Sequence, residues 1–323
     1  MSNAKETPSA VSEPKQRGRL ADFFIRLLKE KPLGTVCGMI VLLLILVAIF
    51  ADVLAPYGYM EVHPADMLQG SSARYLLGTD QLGRDFLSRI IYGARLSLTV
   101  GLAATSINVV VAVLIGGISG FIGGKLDLVM QRFIDAWMAF PGLLLLLTVM
   151  SLVGRGLPQI IVVLGIAGGI AASRIVRSAV IGVKENDYFL AARAVGTPTT
   201  QILLRHVLPN IMAPVIIIFS INIGAVILSE ASLSFLGFGL PVNVPSWGGL
   251  LSREGRQYME QAPWLALWPG LCLTLVVYSF NMFGDALRDL LDPRMRGGEG
   301  SYGTARMKRK KGLLSRLLNP CKW

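Results

Sequence analysis

The sequence predicts an all-α integral membrane protein with six transmembrane helices. Of its 323 residues, 53% are hydrophobic and 16% are charged, whereas about 25% of the residues in an average soluble domain are charged. Several stretches also lack Lys, Arg, Asp and Glu over nearly the roughly 20 residues that a helix needs to cross a bilayer. These stretches are residues 33–51, 96–122, 136–153, 157–173, 211–229 and 264–283.

The first stretch is expected to remain as a helix. It begins too far from the N-terminus, and is too long, for an ordinary cleaved signal peptide. Asp52 and Pro56 follow it, where a cleavage site would need small residues.

The distribution of basic residues predicts that both termini are cytoplasmic. With the N-terminus inside, most Lys and Arg residues lie in inner loops, inner tails or inner helix ends. The ones that then lie outside are Arg74, Arg84, Arg89, Arg95, Arg155, Arg253 and Arg256. The net charge of +11 therefore reflects topology in a lipid bilayer. Nucleic-acid binding is the weaker interpretation, and no nucleic-acid partner is expected.

The predicted spans divide the chain into four parts. These are a cytoplasmic tail with an amphipathic interfacial helix (1–32), the first span with an outer segment (33–95), a core with five spans and a cytoplasmic loop at 184–210 (96–292), and a basic cytoplasmic tail (293–323).

Three features near the spans have structural interpretations. Apolar residues at helical spacing after Leu82 predict an interfacial helix before the second span, in which Asp85 and Arg89 form an i,i+4 ion pair; a direct substrate contact is the alternative. Glycines at 116, 120 and 124 predict close helix packing. Turn residues and aromatics predict an ordered outer loop over residues 232–263.

No catalytic residue or metal site is predicted. The three cysteines form no CxxC pair, and His63 and His206 are the only histidines. The sequence has no GxxxxGK[ST] loop, so nucleotide chemistry must reside on another chain.

A polar segment, "ENDYFLAARAVGTPTTQILLRHVLPN", interrupts the apolar sequence at residues 185–210. Asn186 is predicted to cap a helix over residues 187–195, which Gly196 ends in a left-handed conformation. Thr197 is predicted to cap a second short helix with Pro198 at its first position.

The surface of this segment mixes Tyr188, Phe189, Leu190 and Ala191 with few charges. Such a surface suits docking into a groove of another protein. On physical grounds alone, a packed inner loop without a partner is an equal alternative.

The same segment resembles the EAA loop of ABC importer permeases. Leu190-Ala191-Ala192, Gly196 and Leu208-Pro209 stand at the motif positions. The sequence departs from the motif at Leu190, where Glu is expected, and at His206, where Ile is usual. The stretches "LGTDQLGRDFLSRIIYGARLSL" and "SEASLSFLGFGLP" are similar to C-type subunits of the dipeptide/oligopeptide (peptide/nickel) branch.

The resemblance implies a type I ABC importer permease fold in a bacterial plasma (inner) membrane. It implies a non-catalytic subunit that pairs with a second, related permease, with two ATPase subunits that hold ATP and Mg, and with an extracytoplasmic binding protein. The implied substrates are di- or oligopeptides; nickel, glutathione or another small solute are alternatives within the family.

The resemblance assigns contact with the ATPases to the cytoplasmic loop. The residues concerned are Asp187, Tyr188, Leu190, Ala191, Ala192, Gly196, Leu208 and Pro209. ATP-driven closure of the ATPases would then move this loop and tilt the spans as rigid bodies.

Asp135 and Glu230 are candidates for the translocation path or gate, because ionisable residues near spans are often functional. For Asp135, the preferred interpretation is an inner ion-pair network with the arginines at 132, 174 and 177. For Glu230, helix packing or capping is an equal alternative to a place beside the path.

Other classes of membrane protein fit less well. A secondary transporter would show inverted repeats, and the two halves show no similarity. An intramembrane hydrolase would need a nucleophile–base pair or metal ligands within the spans. A membrane anchor without a path of its own remains an alternative.

Overall fold

The computed structural model describes residues 19–241 and 243–291, and every regular element among them is helical. Residues 1–18 of the predicted N-terminal part (1–32) and the whole predicted basic tail (293–323) lie outside the described residues. The helices are α1 Arg19–Glu30, α2 Pro32–Ile49, α3 Ala51–Leu54, α4 Phe86–Ile122, α5 Gly124–Ala139, α6 Gly142–Val153, α7 Leu157–Lys184, α8 Asp187–Ala194, α9 Thr199–Ile202, α10 Leu208–Phe235, α11 Trp247–Leu250 and α12 Trp264–Leu291.

Five helical runs are long and apolar enough to cross a membrane: α2, α4, α7, the run Thr199–Phe235 and α12. The third predicted span, 136–153, is not one helix, because α5 and α6 meet at an angle of 91°. Phe140 is extended at φ −81°, ψ 138°, as the residue before Pro141 is expected to be. If the bent pair is counted as one broken span, the total is the predicted six.

Glycines allow α4 and α7 to pack closely, as predicted. A Cβ at Gly116 would lie 2.3 Å from the Ser173 carbonyl oxygen, and one at Gly120 would lie 2.9 Å from that of Arg177. Gly124 does not take part: its φ is +61° and no atom lies within 4 Å of its ideal Cβ position. It forms the turn between α4 and α5, where a positive φ favours glycine.

The predicted interfacial helix is not a separate element. Helix α4 runs without a break for 37 residues, about 55 Å, so one end extends beyond a hydrocarbon core of about 30 Å. The predicted pair of Asp85 with Arg89 was also wrong. Asp85 Oδ2 instead accepts a hydrogen bond from the Ser88 amide at 2.8 Å, because a carboxylate at this position satisfies an unpaired donor at the helix N-terminus.

Contacts along the helices define two ends of the molecule, which we name the outer and the inner end after the orientation that the sequence predicts. At the outer end, Trp264 Nε1 of α12 donates to the Thr79 carbonyl at 3.4 Å. The buried Trp247 Nε1 of α11 donates to the Ile90 carbonyl of α4 at 3.0 Å, so part of the outer loop is ordered, as predicted.

At the inner end, Lys31 before α2 and Asp289 of α12 form an ion pair at 2.6 Å. Lys184, at the end of α7, donates to the Phe121 carbonyl of α4 at 2.8 Å. The residue 185–210 segment therefore lies at the same end as α1 and the C-terminal turn of α12.

Candidate functional site

Helix α8 is anchored by a single aromatic residue. Phe189 is only 4% exposed and joins an apolar cluster that includes Val180 and Ile202. Its ring contacts that of Phe121 edge to face, with centroids 6.3 Å apart. The sequence placed Phe189 on the exposed surface, which was wrong, because the residue fills the angle between α8, α4 and α7.

Most of the other residues of α8 are exposed, and several of them are apolar. Leu190 is 53% exposed, Tyr188 is also exposed, and Val195, which directly follows α8, is 85% exposed. Asp187 lies in the first turn of α8, where a negative charge interacts favourably with the helix dipole. The predicted docking residues on α8 are thus brought together on one short, anchored helix.

A Schellman motif ends α8. Gly196 has φ +78°, as predicted. Its amide donates to the Arg193 carbonyl at 3.1 Å, and the Thr197 amide donates to the Ala192 carbonyl at 3.1 Å. These two bonds are the pair that defines the motif, and they set the direction in which the chain leaves α8.

Two predicted caps differ in the structure. The Asn186 side chain does not cap α8; its Nδ2 donates to the Gly182 carbonyl at 2.9 Å, because the last carbonyls of α7 also lack helical partners. Pro198, not Thr197, occupies the N-cap position of the next helix, which begins at Thr199.

The second predicted short helix is the start of a transmembrane helix. Helix α9 continues through a π-helical turn, Leu203–Val207, into α10. The Leu208 amide donates to the Leu203 carbonyl within this turn. Pro209 lies in the first turn of α10, as predicted. A displacement of α9 would therefore act directly on α10.

His206, one of the two departures from the EAA motif, faces α8. Its ring centroid lies 6.3 Å from that of Tyr188. The contact joins α8 to the π-helical turn, so the unusual residue has a defined neighbour within the loop.

Two ion pairs connect α5 to α7 near the inner end. Asp135 contacts Arg174 and lies 3.4 Å from Arg132, as expected for an inner network. Arg177 does not join this network. It binds Asp127 through Nε at 2.6 Å and Nη2 at 2.5 Å, a bidentate geometry that favours arginine.

Sequence reasoning missed Asp127. Its one available signal was its position, three residues after the glycine pair that ends a long apolar stretch. The pairing itself depends on the turn at Gly124, which brings α5 back across α7.

Glu230 is completely buried in α10, and Ser234 Oγ donates to its Oε1 at 2.7 Å. Helix α11 packs directly on this part of α10. The two backbones are so close at Gly248 that a Cβ there would lie 2.4 Å from the Ala231 Cα. The structure therefore places Glu230 beneath α11.

Four buried charges join the outer segment to the outer loop, and sequence reasoning missed this cluster. Arg84 Nε lies 2.6 Å from Asp80 Oδ2, and Arg89 Nη2 lies 2.7 Å from Glu254 Oε1. Arg84 Nη2 also lies 3.2 Å from Glu254 Oε1, and Arg89 Nη1 lies 3.3 Å from Asp80 Oδ2. Each arginine therefore contacts both carboxylates. Burial raises the pKa of the Glu254 carboxyl, and the Arg89 guanidinium opposes that rise.

Within the residues that the structure describes, no group of three or more His, Cys, Asp or Glu side chains could hold a metal ion.

Comparison with known proteins identifies the family. Residues 112–297 match the model of the binding-protein-dependent transport system inner membrane component. Residues 19–70 match the N-terminal transmembrane domain of oligopeptide transport permease C.

Named relatives cover most of the chain. The dipeptide transport system permease protein DppC of Alkalihalophilus pseudofirmus is 40% identical, over 83% of this chain and 88% of the relative. The glutathione transport system permease protein GsiD of Pectobacterium atrosepticum is 37% identical, over 85% and 91%. The oligopeptide transport system permease protein OppC of Bacillus subtilis is 36% identical, over 83% and 88%.

A solved structure shares the fold. An inward facing conformation of the MetNI methionine ABC transporter aligns with a TM-score of 0.53 at 18% identity, covering 64% of this chain and 97% of the matched chain. The predicted type I ABC importer permease fold is confirmed. The chain belongs to the family of inner membrane components of binding-protein-dependent transport systems, as a permease of the dipeptide/oligopeptide branch.

Proposed function

We propose that this chain is the C-type permease subunit of an ATP-driven importer of di- or oligopeptides. It pairs with a second permease, contacts two ATPase subunits from the cytoplasm and receives substrate from an extracytoplasmic binding protein. ATP and Mg are held by the ATPase subunits, and this chain supplies no catalytic residue.

One observation carries the coupling role. Helix α8 buries Phe189 and exposes Leu190, and the exposed Val195 directly follows it at the inner end. An anchored helix with an apolar outward face suits a groove in a partner protein. Because the Schellman turn sets the direction of the chain after α8, a displacement of α8 is transmitted in a defined direction to the helix that begins at Thr199.

Two routes connect α8 to the spans. The Phe189–Phe121 ring contact leads to α4, and the Tyr188–His206 contact leads to the helix that begins at Thr199. Closure of the ATPases would move both helices together, which is a rigid-body switch between inward-open and outward-open states.

The substrate class follows from the relatives. Two of them are named for dipeptides and oligopeptides. A third is named for glutathione, which is itself a modified tripeptide and is therefore the second candidate.

The location proposed for the chain is the bacterial inner membrane, with both termini in the cytoplasm. The distribution of Lys and Arg supports this orientation. Further support comes from the common end of the molecule shared by α1, α8 and the C-terminal turn of α12.

Of the two path candidates, Asp135 is the better gate residue. Its ion pair with Arg174 joins α5 to α7, and the Asp135 side chain is 46% exposed. The ion pair can therefore break without leaving a buried charge unpaired. The burial of Glu230 favours a packing role.

Reconstitution tests the function. The permease pair, ATPases and binding protein are placed in proteoliposomes and given labelled trialanine or glutathione, with and without ATP. We expect ATP-dependent uptake of trialanine, and no ATP hydrolysis by this chain purified alone. Saturable hydrolysis by the isolated chain would contradict the assignment.

Cross-linking tests the contact. In a cysteine-free background, Leu190→Cys should cross-link to an ATPase subunit. Val53→Cys, at a position that is more exposed than Leu190 and is predicted to lie on the outer side (Val53 is 82% exposed), should not. Equal yields for the two variants would refute coupling through α8.

A further inference from the structure

Two adjacent cavities lie at the outer end of the molecule and share Ser252 and Arg253 in their walls. The larger, about 830 Å³, is also lined by Arg256 and Glu254. The smaller, about 200 Å³, is also lined by Arg155 and by residues around Leu236. The larger volume falls within the range of about 300–1,000 Å³ that is typical of small-molecule sites.

Arg253 is held in place between the two cavities. Its Nε donates to the Gly249 carbonyl at 3.2 Å, and its Nη2 donates to the Val244 carbonyl at 3.4 Å. A Cβ at position 249 would lie only 2.8 Å from Arg253 Nη2. The guanidinium therefore depends on a glycine for its position.

The charge on Arg253 has no ion-pair partner among the described residues. The nearby carboxylates, Asp80 and Glu254, are paired with Arg84 and Arg89. Across the described ranges, 19–241 and 243–291, no carboxylate oxygen lies within 4.0 Å of the guanidinium of Arg253, Arg155 or Arg256.

Burial lowers the pKa of the Arg253 guanidinium, and Glu254 opposes this shift. Arginine nevertheless stays protonated in proteins. A partly buried, unpaired cation is unfavourable by itself and is stabilised by an anion that enters the cavity. The planar guanidinium matches a carboxylate in a bidentate geometry.

We propose that Arg253 receives the free carboxylate of a peptide substrate at the outer cavity, with Arg155 and Arg256 adding positive charge at the cavity walls. This inference rests on the proposed peptide-import function. It assigns part of the substrate recognition to the permease itself, separate from the binding protein that delivers the peptide.

The test compares trialanine with trialaninamide, which lacks the terminal carboxylate. Uptake by the complete reconstituted transporter is measured with each peptide at a concentration that saturates the purified binding protein. The ratio of acid to amide uptake is then compared between permease variants. Because the binding protein is the same in every assay, its own preference cancels in this comparison.

We expect Arg253→Gln to reduce the acid-to-amide ratio about tenfold, which corresponds to about 1.4 kcal/mol. Arg253→Lys should retain part of the preference, because it keeps the charge and loses the bidentate geometry. Gly249→Ala should also lower the ratio, because it displaces the guanidinium and leaves its charge. Arg74→Gln removes an outer arginine that is paired with Asp66 and should leave the ratio unchanged.

The failures can be told apart. If the wild-type transporter imports neither peptide, the proposed function fails and this inference fails with it. If trialanine is imported and Arg253→Gln leaves the ratio unchanged, only the inference is overturned. An equal loss of both peptides would show that Arg253 contacts a carboxylate of the binding protein or supports the fold, and would also overturn it.

Discussion

The rings of Phe121 and Phe189 meet edge to face, with centroids 6.3 Å apart and planes inclined by 77°. Phe121 lies in the last turn of α4 and Phe189 in the first turns of α8. The contact joins the loop at residues 185–210 to a helix that runs to the opposite end of the protein. It is therefore one direct route by which a movement of α8 could reach the spans.

Phe189→Ala should detach α8 without disrupting the spans. Loss of a buried Phe side chain typically costs about 3–5 kcal/mol, and here the loss falls on a short peripheral helix. We expect normal membrane insertion with reduced co-purification of the ATPases. Phe189→Leu, which keeps much of the apolar volume, should be milder. Unchanged co-purification of the Phe189→Ala variant would contradict the anchoring role.

Gly196→Val should uncouple the transporter. The φ of +78° disfavours a β-branched residue, at a cost of about 1–3 kcal/mol. No atom lies within 4 Å of the ideal Cβ position, so the effect arises from the backbone alone. Gly196→Ala should be milder, and Thr200→Ala milder still. Uptake normalised to inserted permease measures the effect; wild-type uptake by Gly196→Val would exclude a coupling turn.

Arg89→Ala should destabilise the outer end of the molecule. It leaves Glu254 and Asp80 with one fewer partner in a buried site, and breaking a buried pair typically costs about 3–5 kcal/mol. Combining Arg89→Met with Glu254→Gln should recover part of the loss, because the double variant removes charge from both sides. Thermal unfolding in detergent provides the measurement. Equal stability of Arg89→Ala and wild type would show that the cluster is not stabilising.

Labelling from outside should reveal the orientation. Ser72 and Asn243 are exposed at the outer end, and Glu185 is exposed at the inner end. In a cysteine-free background, an impermeant thiol reagent on intact cells should label Ser72→Cys and Asn243→Cys. It should label Glu185→Cys only after the membrane is permeabilised. The reverse pattern would invert the topology.

The sequence by itself determined the features that depend on local chemistry. Stretches without charge identified the membrane spans, because the bilayer excludes ionised side chains. Gly196 marked the end of α8, because few other residues tolerate a positive φ. The motif residues of the helix–glycine–helix segment, Leu190-Ala191-Ala192, Gly196 and Leu208-Pro209, indicated the family through their resemblance to the EAA loop.

The bend between α5 and α6 shows where local information stopped. Pro141 lies in the third apolar stretch, but Pro214 and Pro269 lie inside α10 and α12, which continue through them. Neighbouring helices can accommodate the backbone groups that a proline leaves unpaired. Whether a proline breaks a membrane helix is therefore decided by the surrounding packing.

Only the tertiary structure decided the pairing of the charges. Arg89 and Glu254 are 165 residues apart, and Arg177 and Asp127 are 50 residues apart. Local patterning instead favoured Asp85 as the partner of Arg89, because those two residues would be neighbours on a helix. A buried charge requires the nearest suitable counter-charge in space, and that partner is known only after the helices have packed.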